Sequence, residues 1–506
     1  IDTISLISMK YGFFIRKGVF MEAMLNDAIS TINGYLWSYF IIFILIGAGL
    51  FFTMTTNFVQ IRMIKEMIRL VINGAGSSTE KNHVSSFQAF CVSTASRVGV
   101  GNIAGIAIAV VLGGPGAIFW MWVIALIGAA TGFIESTLAQ IYKEPVAKGG
   151  FYGGPAYYIR YGLNNKALSV LFAILISITY GWIYNSVQAN TLAASLQVFN
   201  LDVSYTGAVV AVLLGIIIFG GINRVAKASE IIVPIMAILY IATALFVVIM
   251  NITQFPHVIY TIFSSAFEPV AAGGGLLGAT VMNGIKRGLF SNEAGEGSVP
   301  NAAATAAVNH PVEQGLVQAF GVFLDTFIIC TASAFIVLIV GDYSTTGLTG
   351  IALVQHNLAQ QLGSWAPTAV AIFIVMFSFS SLIGNYYYGE INISHLTNKR
   401  FYLHLFRIGV ILMTFVGSIA SLDLVWNLAD LFMAFLVLTN VSSIVRMGRT
   451  AGLALDDYIK QRKAGIETPV FNRSILNHTY GIVWWGDGQT TDSSVPPTPI
   501  EDTVEK

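Results

Sequence analysis

Run after run of apolar residues, each near the ~20 that cross about 30 Å of hydrocarbon as a helix, leaves this chain few ways to fold. In lipid, every backbone N–H and C=O must find a partner inside the protein, and an α-helix satisfies them within one segment. The chain therefore reads as an all-α, polytopic membrane protein. Composition agrees: 55% of its 506 residues are hydrophobic and 10% charged, against about a quarter charged in a soluble domain. Its 26 basic and 26 acidic residues cancel, and nothing points to a nucleic acid. Cys91 and Cys330 lie inside apolar runs, with no metal or disulfide spacing.

Eleven spans are read, at about 36–56, 87–113, 115–142, 166–198, 205–221, 228–251, 272–304, 314–341, 366–395, 401–420 and 424–445. Lys and Arg set their orientation. Connections leading from odd to even spans carry Arg62, Lys65, Arg69 and Lys81, then Lys143, Lys148, Arg160 and Lys166. Later ones carry Arg224 and Lys227, then Lys399 and Arg400, while the one between spans seven and eight has neither residue type. The hydrophilic end adds Arg446, Arg449, Lys460, Arg462, Lys463 and Arg473. The alternate connections, near 199–204, 252–271, 342–365 and 421–423, have no Lys or Arg. This asymmetry puts the N-terminus outside and the C-terminus in the cytoplasm, and the chain is expected to be a multi-pass protein of the plasma (inner) membrane. Lys10, Arg16 and Lys17 run against it; they fall in residues 1–20, which read as a leader ahead of a start at Met21. The units are then an N-terminal extension at 1–35, an extra span at 36–56, halves at 87–251 and 272–445, and a mobile hydrophilic tail at 446–506.

Two spans are interrupted. "SRVGVGNIAGIAIAVVLGGPGAIFW", from Ser96 to Trp120, sets six glycines, an asparagine and an arginine among apolar residues. "GATVMNGIKRGLFSNEAGEGS", from Gly278 to Ser298, contains Asn283, Lys286, Arg287, Asn292, Glu293 and Glu296. Unwinding a helix at this depth strands backbone groups at several kcal/mol each, tolerable only around a polar cavity. Carbonyls ending the first half-helix suit a cation, and amides opening the second suit a carboxylate. One break thus accommodates both ends of a zwitterion, and a sodium ion. Gly99, Gly101 and Gly105 keep side chains out of that approach, and "GGPG" at 113–116 makes a tight turn before the next helix. A single G-x-x-x-G is more often a packing groove; two breaks at matched places favour a site. The breaks lie five spans apart, and an odd number of spans per half gives an inverted repeat. "GNIAG", ending at Gly105, and "SNEAG", ending at Gly295, share three of five residues.

Charges inside a span face a partner or water. Arg97 is expected to pair across the breaks with Glu293, or with Glu135. Lys286 and Arg287 either face inward or sit at the cytoplasmic edge of a re-entrant turn. Further polar positions are Asn185, Gln188, Asn190, Ser378, Ser380, Ser381, Asn385 and Glu390; serines in spans usually bond their own helix. Asp325 and Asp430 suit a structural role as well as a functional one. A site at the interface of two halves is the design of a transporter. A channel calls for a continuous polar stripe, whereas the polar residues gather at two breaks. An enzyme calls for a nucleophile–base or metal constellation, which the seven histidines do not form; the chain reads as no enzyme.

"VGVGNIAGIAIA", "GGPGAIFWMW", "GIKRGLFSNEAGEGS", "FLDTFIICT" and "YYYGE" together resemble the alanine or glycine:cation symporter family, over about Trp37 to Val445. "VGVGN" is also similar to the "VGLGN" of neurotransmitter:sodium symporters. The resemblance implies a LeuT-type fold of five plus five inverted helices with one extra N-terminal helix. It implies sodium-coupled uptake of small neutral amino acids, alanine or glycine first, with protons as the other coupling ion. The substrate carboxylate would meet amides near Gly99, Gly101, Asn102 and Gly105. The amine would meet Thr94 and groups of the second broken span, Met282, Asn283 and Asn292 among them, with Gln188 closing the pocket. Sodium would lie between the carbonyls of Ala95 and Val98 and the hydroxyls of Ser380 and Ser381. Arg97, Glu293 and Asp325 would be the coupling charges. One departure stands out: Asn385 occupies the place of a tryptophan in the family's "GWxYYGE", which leaves room for a larger or amide-bearing substrate such as glutamine.

Overall fold

The computed structural model describes residues 21–75, 84–146, 150–219, 222–267 and 278–486. The expected leader at 1–20, Lys81, Lys148, the start of the seventh span and residues 487–506 lie outside them.

The molecule is built from helices. In chain order they are α1 (Met21–Thr55), α2 (Ile64–Ala75), α3 (Ser86–Arg97), α4 (Ala104–Gly113), α5 (Ala117–Ile141), α6 (Pro155–Gly162), α7 (Lys166–Phe199), α8 (Val203–Ile218) and α9 (Ile222–Met250). They continue with α10 (Phe255–Ser265), α11 (Ala279–Asn292), α12 (Val299–Thr305), α13 (Pro311–Leu338), α14 (Gly350–Leu362), α15 (Ala366–Leu396), α16 (Arg400–Ile419) and α17 (Leu422–Lys463). A two-stranded hairpin, β1 (Glu144–Pro145) and β2 (Phe151–Tyr152), follows α5. Among the described residues eight helical segments are long and apolar enough to cross a membrane: α1, α5, α7, Glu230–Met250 of α9, α13, α15, α16 and α17. The apolar helices α4 and α8 are shorter. This is a multi-pass membrane protein.

Local chemistry starts these helices. Ser85 and Gln88 form a reciprocal capping box at 3.0 Å in each direction before α3. Asp202 accepts the Ser204 amide at 2.8 Å ahead of α8. The usual inside-out pattern is reversed: Val212, Ile216, Ile238 and Leu412 point outward, while Glu135, Asn185, Gln188 and Asp325 are buried. Three π-turns, Trp37–Ile41 in α1, Thr179–Tyr184 in α7 and Leu324–Cys330 in α13, each bury a polar side chain used below. One extra residue per turn re-aims a side chain without ending the helix.

The end of the chain departs from the expected mobile tail. α17 continues to Lys463, and residues 464–486 fold back under the molecule. The Phe471 amide donates to the Asn309 carbonyl at 3.0 Å, and the Trp485 indole donates to the Gln140 carbonyl at 2.9 Å. Lys143 is sealed beneath, its Nζ 4.1 Å from the Phe151 ring centre, 5.0 Å from that of Trp485, and donating to the Ala306 carbonyl at 2.9 Å. Apolar residues, buried Phe471, Leu476, Ile482 and Trp485, are interspersed in this polar stretch too sparsely for a hydropathy reading. Burial pulls the Lys143 ammonium well below its usual range, against the pull of the Glu313 carboxylate. Trp485→Ala is therefore expected to speed acylation of Lys143 by a water-soluble amine reagent, read by mass spectrometry. An unchanged rate would mean the strap does not cover the lysine.

Candidate functional site

The first break separates α3 from α4. α3 ends at Arg97, Gly99 is extended, and Val100–Asn102 make a single 3-10 turn before α4. The freed amides find side chains: Gly99 N–H donates to Asn102 Oδ1 at 2.9 Å, and Val100 N–H to Gln188 Oε1 at 3.1 Å. Gly105 lies in the first turn of α4, where amides have no partner in their own helix. The Ser381 hydroxyl donates to the Ala95 carbonyl (2.9 Å) and lies 3.4 Å from the Val98 carbonyl. Three oxygens thus converge there. Ser380 stays apart, its hydroxyl bonded to the Phe377 carbonyl at 2.9 Å in its own helix. Gly99 is required by close approach: a Cβ there would overlap Ser381 Oγ and lie 3.0 Å from the Gln188 amide. Thr94 is buried with no partner for its hydroxyl among the described residues.

The second break runs from Glu293 to Ser298, between α11 and α12. Glu293 (φ 58°), Gly295 (φ 100°) and Gly297 (φ 80°) turn the chain through positive φ, a conformation costing a non-glycine residue about 1–3 kcal/mol. The Glu293 carboxylate offsets that cost by accepting from Ser96 (2.8 Å) and Ser298 (2.6 Å), which ties the two breaks together. Ser96 also lies 2.7 Å from Asn385 Oδ1. A hydroxyl has one proton, so whichever way the Asn385 amide is turned, one of its polar atoms is left without a partner. Asp325, turned inward by its π-turn, accepts from Asn102 (2.5 Å) and Ser291 (2.8 Å). Glu296 accepts from Tyr180 (2.7 Å) and Tyr184 (3.1 Å), and Glu135 from Asn440 (2.7 Å) and the Gly295 amide (3.2 Å).

Thr94, Ala95, Val98, Gly99, Gly101, Asn102, Gln188, Asn292, Glu293, Asp325, Ser381 and Asn385 therefore belong to one buried neighbourhood around the breaks. Met282 and Asn283 do not. They sit at the far end of α11, where Asn283 bonds the Ala279 carbonyl (2.9 Å) and packs beside Gly113. The helix between Gly278 and Asn292 is intact, so its start lies more than two turns from the break. The expected Arg97–Glu293 and Arg97–Glu135 pairs are absent among the described residues. Arg97 donates to the Gln318 carbonyl (3.1 Å), and its Nε and Nη2 have no partner among the described residues. Lys286 and Arg287 are not at an edge: both are buried on α11 and paired with Asp430. All three were visible as charges within spans; their pairing was not, because it joins residues 143 positions apart in the chain.

Known proteins share this architecture and sequence. The model of the sodium:alanine symporter family matches residues 21–473. The probable sodium/glutamine symporter GlnT of Bacillus subtilis is 50% identical, over 92% of this chain and 97% of that one. The amino-acid carrier protein AlsT of the same organism is 48% identical over 92% and 99%. The sodium/alanine symporter AgcS of Methanococcus maripaludis is 39% identical over 82% and 93%. In fold, the chain is similar to MhsT, solved in complex with L-phenylalanine, at a TM-score of 0.54 and 15% identity over 75% of this chain and 90% of that one. With its family model matched from before the first span to beyond the last, the chain belongs to the sodium:alanine symporter family.

Proposed function

We propose that the protein is a sodium-coupled symporter that brings a small neutral amino acid, alanine or glycine, into the cell by alternating access. Its eleven spans would form a five-plus-five inverted repeat behind one extra helix, with the N-terminus outside and the C-terminus in the cytoplasm. The observation that carries this reading is the convergence of the Ala95 and Val98 carbonyls with Ser381 Oγ, beside the first-turn amides of α4, which have no partner in their own helix. Oxygen donors suit a hard cation, and helix-start amides suit a carboxylate. Sodium bound there would replace the Ser381 proton as the partner of the Ala95 carbonyl.

The test is radiolabelled alanine uptake into proteoliposomes under a sodium gradient, a proton gradient or neither. Concentrative uptake that needs sodium is expected; uptake driven only by protons would transfer the coupling to that ion. Ser381→Ala is expected to raise the sodium concentration for half-maximal uptake about tenfold, the worth of one hydrogen-bond-strength ligand. The KM for alanine should move less, and equal losses would remove sodium from this place.

A second reading, glutamine, has a specific observation behind it: one polar atom of the Asn385 amide is buried and free. A substrate amide matches it in either orientation, and a relative at 50% identity bears the name of a probable sodium/glutamine symporter. Competition decides. Asn385→Trp is expected to relieve inhibition by glutamine while inhibition by glycine persists.

A further inference from the structure

One aromatic layer away from the first break, two cations share one carboxylate. Arg287 bonds Asp430 Oδ1, and Lys286 Nζ lies 3.4 Å from Asp430 Oδ2. All three side chains are buried, with residue exposures of 3%, 7% and 4% in the order Arg287, Lys286, Asp430. The Arg287 guanidinium lies 4.5 Å from the Trp426 ring centre, and Lys286 Nζ lies 5.3 Å from that of Trp37. Trp37 in turn donates to the Asp430 carbonyl at 3.2 Å, which fixes α1 against α17. The Trp426 and Phe290 rings meet at a tilt of 51° with their centres 4.8 Å apart, and Phe290 covers Gly101. The cluster thus stands just beyond the aromatic side of the break, at the middle of α11.

Its charges do not cancel. Two positive groups face a single negative one, and no other carboxylate among the described residues is ion-paired with either cation. Nor do its hydrogen bonds close. Among the described residues, Arg287 Nε, Arg287 Nη1 and Trp426 Nε1 are all buried donors without an acceptor. A buried donor left unpaired costs about 1–3 kcal/mol, more when charged, and a buried unmatched charge costs several. Three unused donors and one surplus positive charge in one place call for the same thing, a small acceptor carrying one negative charge.

We propose that Lys286, Arg287 and the Trp426 indole form a binding site for one small monovalent anion, a carboxylate or a chloride. Asp430 holds the two cations in place, and the anion completes the charge. If the occupant is a carboxylate, it is that of the incoming amino acid, halted outside the aromatic layer before it reaches the amides of α4. That choice of occupant rests on the symporter reading; the anion site does not.

Thermal unfolding of the purified full chain in choline salts tests the site without transport or sodium. Chloride or acetate is expected to raise the melting midpoint by a few degrees over the bulkier methanesulfonate, since a ligand that binds only the folded state stabilises it. Lys286→Met removes the surplus charge and leaves the Arg287–Asp430 pair intact. Trp426→Phe removes one donor and keeps the ring. Loss of the anion-dependent shift in either variant supports the site. No shift in the unaltered protein, or the same shift in all three, overturns it. Uptake kinetics identify the occupant. A KM for alanine that rises with chloride means both anions compete for the site; one that falls means chloride is a resident ion.

Discussion

Gly99→Ala is expected to reduce sodium-driven uptake at least a hundredfold while the protein still folds. The backbone at Gly99, φ −137° and ψ −152°, is open to any residue, so the substitution brings no strain of its own. The added Cβ would fall on Ser381 Oγ and crowd the Gln188 amide. Ser381 would have to leave the Ala95 and Val98 carbonyls, and Gln188 the Val100 amide. The proposed cation ligands and the neighbouring amide geometry fail together, and misplacing such groups by about 1 Å is worth around 100-fold in a functional rate. A control is built into the molecule: Gly47 of α1 has open space where its Cβ would go, and Gly47→Ala should transport normally. Uptake retained by Gly99→Ala in protein of native melting midpoint would remove the first break from the transport site.

Asp430→Ala carries the largest expected loss of stability. It would leave Lys286 and Arg287 buried beside each other with no carboxylate, and removing one partner of a buried pair costs about 3–5 kcal/mol. The variant is expected to unfold well below the unaltered protein, with reduced recovery from the membrane. Adding Lys286→Met should return part of the loss, because it removes one of the two stranded charges; independent sites would simply add. A double variant no more stable than Asp430→Ala alone would mean that packing, not charge, sets the cost.

Much of the fold could be read from the sequence because apolar length and lipid leave so little choice. The two breaks were legible for a related reason: glycine and charge inside a span need an explanation, and a polar interior is the physical one. Gly99 was found in that way, Asn102, Gln188 and Ser381 were given their roles by the family resemblance, and Asp325 was left open between structure and function; the five lie together. The failures have physical causes too. Ser380 and Ser381 are neighbours in sequence, yet about 100° of helical rotation separates them, and only one reaches the break. Met282 and Asn283 were grouped with Asn292 by the family resemblance, but an unbroken helix carries them away from it. Arg97 was matched across the breaks to Glu293, with Glu135 as the rival, whereas a backbone carbonyl and Ser96 take up those roles. Pairings across the bundle depend on which helix faces touch, and a single sequence does not encode that in any local pattern.

The folded-back segment under the molecule also sets an order of assembly. Trp485 bonds a carbonyl 345 residues earlier in the chain. At about 5–20 residues per second of synthesis, Gln140 waits roughly 17–69 s for that partner. Through that interval Lys143 lacks the Trp485 ring that covers it in the finished fold. The underside is thus the last part of the molecule to become dry, and a ribosome that stops after Lys463 releases a membrane bundle whose seal was never made.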